Sequence, residues 1–311
     1  METENLILKI RLLILAWFHL RSQSGPPSLL RQFSYKDIKK ATDGFKRVIS
    51  NSSSQGAFYK AKFYNGSVAT VKESKLYDED DDDDAFFTEV QLLRRLHHRH
   101  IVSLIGFSTG SKRFLVYENM EKGSLKDHLS DPLKTPLNWR TRLQIVIGIA
   151  AALEYLHFFC DPPIYHVSLS SSTIMLDENL IAKISDVSLL HTAAENRIKQ
   201  PVSCHFSREC TEQRCKKVIF QLGLLILELI TGQSSDEGGV DLVQWVQNLH
   251  FPRSIHKMID PDLGNNYDTR ELNGLLNVAR LCIRSAEMPT IYTSHILWYL
   301  QKKIGITRKW L

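Results

Sequence analysis

The sequence predicts an α+β fold in two lobes, a small β-rich N-terminal lobe carrying one helix and a larger helical C-terminal lobe. Three observations predict it. Short β-like runs at Ala57–Phe63, Ser67–Glu73 and Arg113–Glu118 bracket a single helical pattern at Ala85–Leu96. After Gly123 the recognisable segments are helical, with long apolar stretches at Trp139–His157 and Val218–Thr231. The chain has 311 residues, of which 43% are hydrophobic and 23% charged, ordinary values for one two-lobed domain with a large core and a short N-terminal extension.

Taken from the N-terminus, Leu6–Leu20 is strongly apolar but is interrupted by Lys9 and Arg11. A spanning helix wants about 20 mostly apolar residues. The run also lacks a small-residue cleavage site, which makes it a poor signal peptide. Three readings stay open: a remnant of a transmembrane segment, an interfacial anchor, or a helix packed on the domain. In the first two, Arg21, Arg31, Lys36, Lys39 and Lys40 would lie on the cytoplasmic side. Ser22–Ser28, with Gly25, Pro26 and Pro27, reads as a linker. A short helix is expected next, with Asp37 as its cap and Gly44 at its end. Tyr64-Asn65-Gly66 joins the first two strands, and Asn-Gly is a strong two-residue hairpin signal.

Asp78–Asp84 is an unbroken acidic run. Like charges this dense repel and stay solvated, and negative charge ahead of a helix suits its N-terminal dipole. A docking site for a basic partner is the alternative. The helix that follows has apolar Phe86, Phe87, Val90, Leu93 and Leu96 at helical spacing, and His97, His98 and His100 come directly after it. Three histidines raise a metal reading, but a structural turn accounts for them better. Val218–Thr231 is apolar nearly all round and too short for a span, so it reads as the central helix of the large lobe. Asp241–Asn248, Thr269–Ser285 and Thr290–Lys302 supply further helices, and no internal repeat is present.

Composition excludes some functions. A net charge of +5 is small and dispersed, with no basic stripe interleaved with aromatics, which argues against nucleic acid. Five cysteines at irregular spacing fit a reducing compartment better than a disulfide framework. Cys204, Cys210 and Cys215 near His205 invite zinc, but they form no C-x-x-C pair and read as free thiols in a loop.

Several phrases together resemble plant receptor-like Ser/Thr protein kinases. They are Phe33-Ser-Tyr-Lys-Asp-Ile-Lys-Lys-Ala-Thr-Asp-Gly-Phe, Phe114–Leu129, the stretch Ile164–Asp177, Ala182–Leu189 and Leu-Glu-Leu-Ile-Thr-Gly at Leu227–Gly232. The resemblance runs from about Phe33 to about Leu300. It implies a bilobal protein-kinase-like fold, with the apolar, basic segment and linker at 1–32, an N-lobe at 33–118, a C-lobe at 119–305 and a tail at 306–311. The helix at 85–96 would then be the regulatory helix, and Glu118, Asn119 and Met120 the hinge.

The resemblance also assigns the site, position by position. Of the phosphate loop G-x-G-x-x-G only Gly56 survives, with Asn51 and Ser53 at the first two glycine positions. Lys72 stands at the phosphate-pairing lysine and Glu89 at its helix partner. That pair either ligates nucleotide or pins the helix to the sheet. Thr70 replaces the small residue against adenine, and Met175 keeps an apolar floor. In the frame H-R-D-x-x-x-x-N, His166 is kept, Val167 replaces Arg, Ser168 the catalytic Asp and Thr173 the metal-binding Asn. Ser170 replaces the lysine that follows the base. Asp186 keeps the D of D-F-G as a magnesium ligand, but Val187 and Ser188 replace Phe and Gly. Val218 replaces the Asp that supports the loop, and Ser207-Arg-Glu is a vestige of A-P-E. Met288 replaces the Arg that would pair with Glu209.

These losses agree with one another. A kinase needs a carboxylate to orient and accept the hydroxyl proton of its substrate, and Ser168 has no such basicity near neutral pH. The expected function is therefore a pseudokinase acting as a signalling scaffold or allosteric partner, binding ATP and Mg weakly or not at all. Its partners would be other proteins, among them an active receptor-like kinase, and its place the cytoplasm or the cytoplasmic face of the plasma membrane. The alternative is a weak Ser/Thr kinase using Lys72, Glu89 and Asp186, since positioning carries much of phosphoryl transfer. A degenerating product that folds poorly is a third reading, opposed by the intact apolar patterning of the helices.

Overall fold

The computed structural model describes residues 30–52, 56–74, 83–110, 112–187, 208–234, 242–247, 258–286 and 292–303. The apolar run at 6–20, most of the acidic run at 78–84, His205 and Met288 lie outside them. The chain divides into two units, Met1–Arg31 and Gln32–Leu311.

The N-terminal lobe is built on an antiparallel sheet of β1 (Arg31–Gln32), β2 (Val48–Ser52), β3 (Gly56–Lys62), β4 (Val68–Ser74), β5 (Leu104–Ser108) and β6 (Arg113–Glu118), in the order β1-β5-β6-β4-β3-β2. Gly66 turns β3 into β4 with φ +83°, a conformation that side-chain-bearing residues adopt at a cost, and its N–H closes on the Phe63 carbonyl at 2.9 Å. Alternation of side chains gives this sheet two different faces. The outer face packs Tyr59, Ala61, Val71, Phe114 and Val116 beneath the helix α1 (Tyr35–Ala41), together with Phe33, Ile38 and Phe63. Phe45 stacks on Phe114 at 5.4 Å. The inner face carries Phe58, Lys72 and Leu115 in one cross-strand row and Lys60, Thr70 and Tyr117 in the next.

The cap of α1 differs from expectation. Ser34 is the N-cap, its oxygen accepting the Asp37 N–H at 3.1 Å, while Asp37 sits inside the first turn and accepts the Ser34 hydroxyl at 2.8 Å. A hydroxyl placed three residues earlier reaches the orphan N–H groups that Asp37 has already passed. Gly44 does close the end, its N–H donating to Lys39 C=O at 2.7 Å.

The regulatory-type helix α2 runs Asp83–Arg95, so the last two acidic residues open it. The C-terminal lobe follows with β7 (Gly123–Ser124), α3 (Leu125–Ser130), α4 (Trp139–Glu154), a π turn (Tyr155–Phe159), β8 (Ile174–Leu176) and β9 (Ala182–Ile184). It ends in α5 (Arg208–Thr231), α6 (Thr269–Ile283) and α7 (Thr293–Lys303), with residues 242–247 also helical. Helix α4 stops three residues before the predicted His157, where the backbone widens into the π turn. Of the described helices, the stretch Trp139–Phe159 alone is long and apolar enough to cross a membrane, and 67% of its most apolar 18 residues are buried inside the domain.

Helix α5 begins ten residues before the predicted Val218. Cys210 and Cys215 therefore lie on a helix, not in a loop. Cys215 is buried, and burial pushes its thiol up to about 11 and that of Cys282 up to about 12. Thiols held protonated in this way are structural. Arg208 and Glu209 of the A-P-E vestige open the same helix.

The histidines after α2 dock it on the large lobe. His98 stacks on Tyr155 at 5.1 Å, and His100 donates from Nδ1 to the Ala182 carbonyl at 2.8 Å. The His100 ring lies flat on Gly148 of α4, where an added Cβ would come within 2.4 Å of the ring. Gly148→Ala is expected to cost about 2 kcal/mol, measured by urea unfolding, because the ring must leave Ala182 to make room. The described residues contain no group of three His, Cys, Asp or Glu able to hold a metal.

Candidate functional site in the cleft between sheet and helical lobe

Lys72 sits in the middle of β4, opposite Phe58 on one side and Leu115 on the other. Its ammonium lies 3.6 Å from Asp186 Oδ1, with side-chain exposures of 13% and 5%. The same ammonium stands 5.5 Å from the centre of the Phe58 ring. Glu89, on α2, is 3% exposed. Tyr117 is buried, and that burial, with the negative charges of Glu89 and Asp186, pushes its hydroxyl well above 10. Lys72, Glu89, Asp186 and Tyr117 thus converge at the back of the cleft. Tyr117 was not expected as a site residue; only the strand register, which sets it opposite Thr70 on the inner face, brings it there.

Thr70 is half-buried between Lys60 and Tyr117. Met175 lies on β8, paired with Lys183 and Ser124. Gly56 opens β3 with φ +88° and pairs with Ser52. The stretch read as the phosphate loop is partly a strand, since β2 extends to Ser52. At the lobe connection, Glu118 closes β6 and carries a double contact: one carboxylate oxygen accepts the Ser103 N–H at 2.7 Å and the other meets Lys183 Nζ at 2.8 Å. Asn119 donates to Glu121 at 3.0 Å, and Met120 is buried.

The loop Ser168–Thr173 is closed on itself. The Thr173 hydroxyl donates to the Ser168 carbonyl at 2.8 Å and accepts the Ser170 N–H at 2.9 Å. Ser170 and Ser172 share a hydrogen bond of 2.7 Å. Ser185 donates from both its N–H and its hydroxyl to the Thr173 carbonyl, at 3.0 and 2.8 Å. Ser168 donates its N–H to the Asp186 carbonyl at 3.2 Å. Five hydroxyl-bearing residues in six positions compete with backbone for hydrogen bonds, and here they hold the turn.

Two residues of α5 support this loop. Glu228, 1% exposed, accepts the Ser171 N–H at 3.2 Å, and Gln221 accepts the Leu169 N–H at 3.4 Å. Val218, one turn before Gln221, is buried and apolar. The loss at Val218 is plain in the sequence; the hold of Gln221 on the loop, and of Glu228 from the kinase-like phrase Leu227–Gly232, was not expected from it. A signal existed: in a helix apolar nearly all round, Gln221 and Glu228 stand seven residues apart and so share a face.

A magnesium pair of the kinase kind needs oxygen ligands from both loops. The residues present do not fit it. Thr173 commits its hydroxyl to closing its own turn, so the position of the metal-binding Asn has no oxygen to share a metal with Asp186. The neutral side chain of Ser168 offers no base. What the arrangement does supply is a loop hydrogen-bonded to itself and to α5.

Residues 49–253 match the family model described as protein tyrosine and serine/threonine kinase. A probable receptor-like protein kinase of Arabidopsis thaliana is 40% identical over 82% of this chain and 41% of its own length. The calcium/calmodulin-regulated receptor-like kinase 1 of the same plant is 33% identical over 86% of this chain and 62% of its own. The chain therefore spans less than two thirds of these curated relatives. Among solved structures, the pseudokinase domain of BIR2, an immune regulator of the RLK/Pelle family, superposes with a TM-score of 0.73 at 28% identity, covering 89% of this chain and 86% of that one. The pseudokinase called drought responsive inactive kinase 1 shares the fold, with a TM-score of 0.67 at 21% identity over 89% of this chain and 98% of that one. A family match across most of the chain, with receptor-like kinases as sequence relatives, makes this chain a member of the protein tyrosine and serine/threonine kinase family, of the plant receptor-like type.

Proposed function

We propose that this domain is a pseudokinase, a protein-binding module of receptor-kinase signalling that does not transfer phosphate. The observation that carries the reading is the Thr173 hydroxyl, held between the Ser168 carbonyl and the Ser170 N–H. It closes the place of a metal ligand, beside a serine where the base would stand. ATP and magnesium, the ligands of the fold, bind weakly or not at all. The BIR2 pseudokinase domain, an immune regulator by description, supports a regulatory role exercised through other proteins. An active receptor-like kinase at the cytoplasmic face of the plasma membrane is the partner that the sequence relatives suggest. The domain would span 33–305, as N-lobe and C-lobe meeting at Glu118–Met120.

One observation favours a second reading. Lys72 and Asp186 remain paired at 3.6 Å, the remnant from which a weak kinase would work. The two separate in a phosphotransfer assay with labelled ATP, magnesium or manganese, and a general basic protein substrate. The expected result is incorporation no higher than that of Lys72→Ala. Incorporation that disappears on Lys72→Ala and on Asp186→Asn overturns the pseudokinase reading.

A further inference from the structure

We propose that Phe58 is the residue that keeps nucleotide out of the cleft. The inference rests on the reading of the cleft as a degraded nucleotide site and adds to it which side chain closes that site. Phe58 lies directly across from Lys72 in the β3–β4 ladder, so both side chains leave the sheet on the inner face. The ring centre is 5.5 Å from the Lys72 ammonium, within range of a cation–π contact. Asp186 holds the same ammonium from another direction. The charge that would meet a phosphate is therefore engaged by a ring and by a carboxylate.

The neighbouring row lies within the reach of such a ring. Thr70, two residues along β4 from Lys72, is the diagonal neighbour of Phe58 on the same face, a separation that an aromatic side chain spans. Thr70 is the position that the kinase resemblance places against adenine. An incoming nucleotide must displace Phe58 before its base can reach Thr70 or its phosphates can reach Lys72. Loss of the base at Ser168 and of the metal ligand at Thr173 stops chemistry; Phe58 stops entry.

The test is a titration of the full chain with ATP and with ADP, with and without magnesium, read by thermal melting and calorimetry. Phe58→Val keeps a β-branched residue suited to the strand and removes the ring. It is expected to bind ATP at least about tenfold more tightly than the unaltered chain, the order of effect of a lost cation–π contact and steric block. Phe58→Val combined with Lys72→Ala is expected to lose that gain, which a merely looser fold would not do. Equal affinity of Phe58→Val and the unaltered chain overturns the proposal, and so does a gain that survives Lys72→Ala. Should Phe58→Val melt without cooperativity, Phe58→Leu serves in its place, keeping apolar volume without a π face, and is judged by the same outcomes. Failure of the pseudokinase reading shows separately, as phosphotransfer by the unaltered chain.

Discussion

Replacing Arg142 with Met is expected to lower the unfolding free energy by about 3–5 kcal/mol, the cost of leaving one charge of a buried pair alone. Arg142 is 1% exposed, in the first turn of α4. Its guanidinium meets Asp260 Oδ2 at 2.6 Å and donates to the carbonyls of Leu137 and Leu229, both at 2.8 Å. One side chain thus ties the start of α4, the end of α5 and the segment before Pro261. Asp260 is itself buried, and its other oxygen accepts the Asp262 N–H at 2.9 Å. Gly232 leaves room for it, since an added Cβ there would stand 2.6 Å from Oδ2. With Met at 142 the Asp260 carboxylate and two carbonyls lose their partner. The double variant Arg142→Met with Asp260→Leu is expected to recover part of the loss, because it removes the orphaned charge. Urea unfolding of the two single variants and the double variant measures the coupling. A loss below 1 kcal/mol for Arg142→Met would show that water satisfies Asp260.

Acidification between pH 6.5 and 5 is expected to destabilise the domain, through His157, buried as a neutral ring, and the half-buried His98. Burial lowers His157 to about 4, and burial with the neighbouring His100 lowers His98 to about 4. His157 is 3% exposed in the π turn, tilted against Tyr165 at 4.6 Å and 3.4 Å from the Thr293 hydroxyl. Each ring titrates near 6.5 in the unfolded chain. Below that pH the unfolded state takes up protons that the native state refuses, so stability present above 6.5 is lost progressively as pH falls toward 4. The slope is about 1.4 kcal/mol per pH unit for each ring once the unfolded form is fully protonated. Urea unfolding at stepped pH values measures it. The window above pH 5 lies outside the main range of carboxylates. His157→Phe is expected to remove one ring's share of the slope. An unchanged slope in that variant would mean that His157 titrates alike in both states.

The fold was legible because its signals are local. Asn65-Gly66 makes a hairpin wherever it stands between two β-like runs, and the apolar spacing from Phe86 to Leu96 makes a helix whatever it packs against. The order of strands, one helix and a helical lobe, with motif positions such as Lys72 and Asp186, then sufficed to name a family. The identities at Ser168 and Thr173 were equally plain, because a missing carboxylate is visible in one residue. Boundaries were less so. Helix α5 starts at Arg208, and Ser34 replaces Asp37 as a cap, because caps and ends depend on which N–H groups a side chain reaches.

By itself, then, the sequence determined the two-lobed architecture and the loss of the catalytic carboxylate and of the metal-binding amide. Only the tertiary structure decided the contacts around them and beyond: the Thr173 hydroxyl turned inward on its own loop, Gln221 and Glu228 carrying that loop from α5, Arg142 joined to Asp260, and Phe58 set against Lys72. The reason is physical. Helix and strand patterns are written in neighbours three or four, or two, residues apart, whereas these contacts join residues far apart in sequence. Their partners are chosen by burial, which makes an unmet polar group costly and leaves only the packed fold to say which one is near enough to meet it.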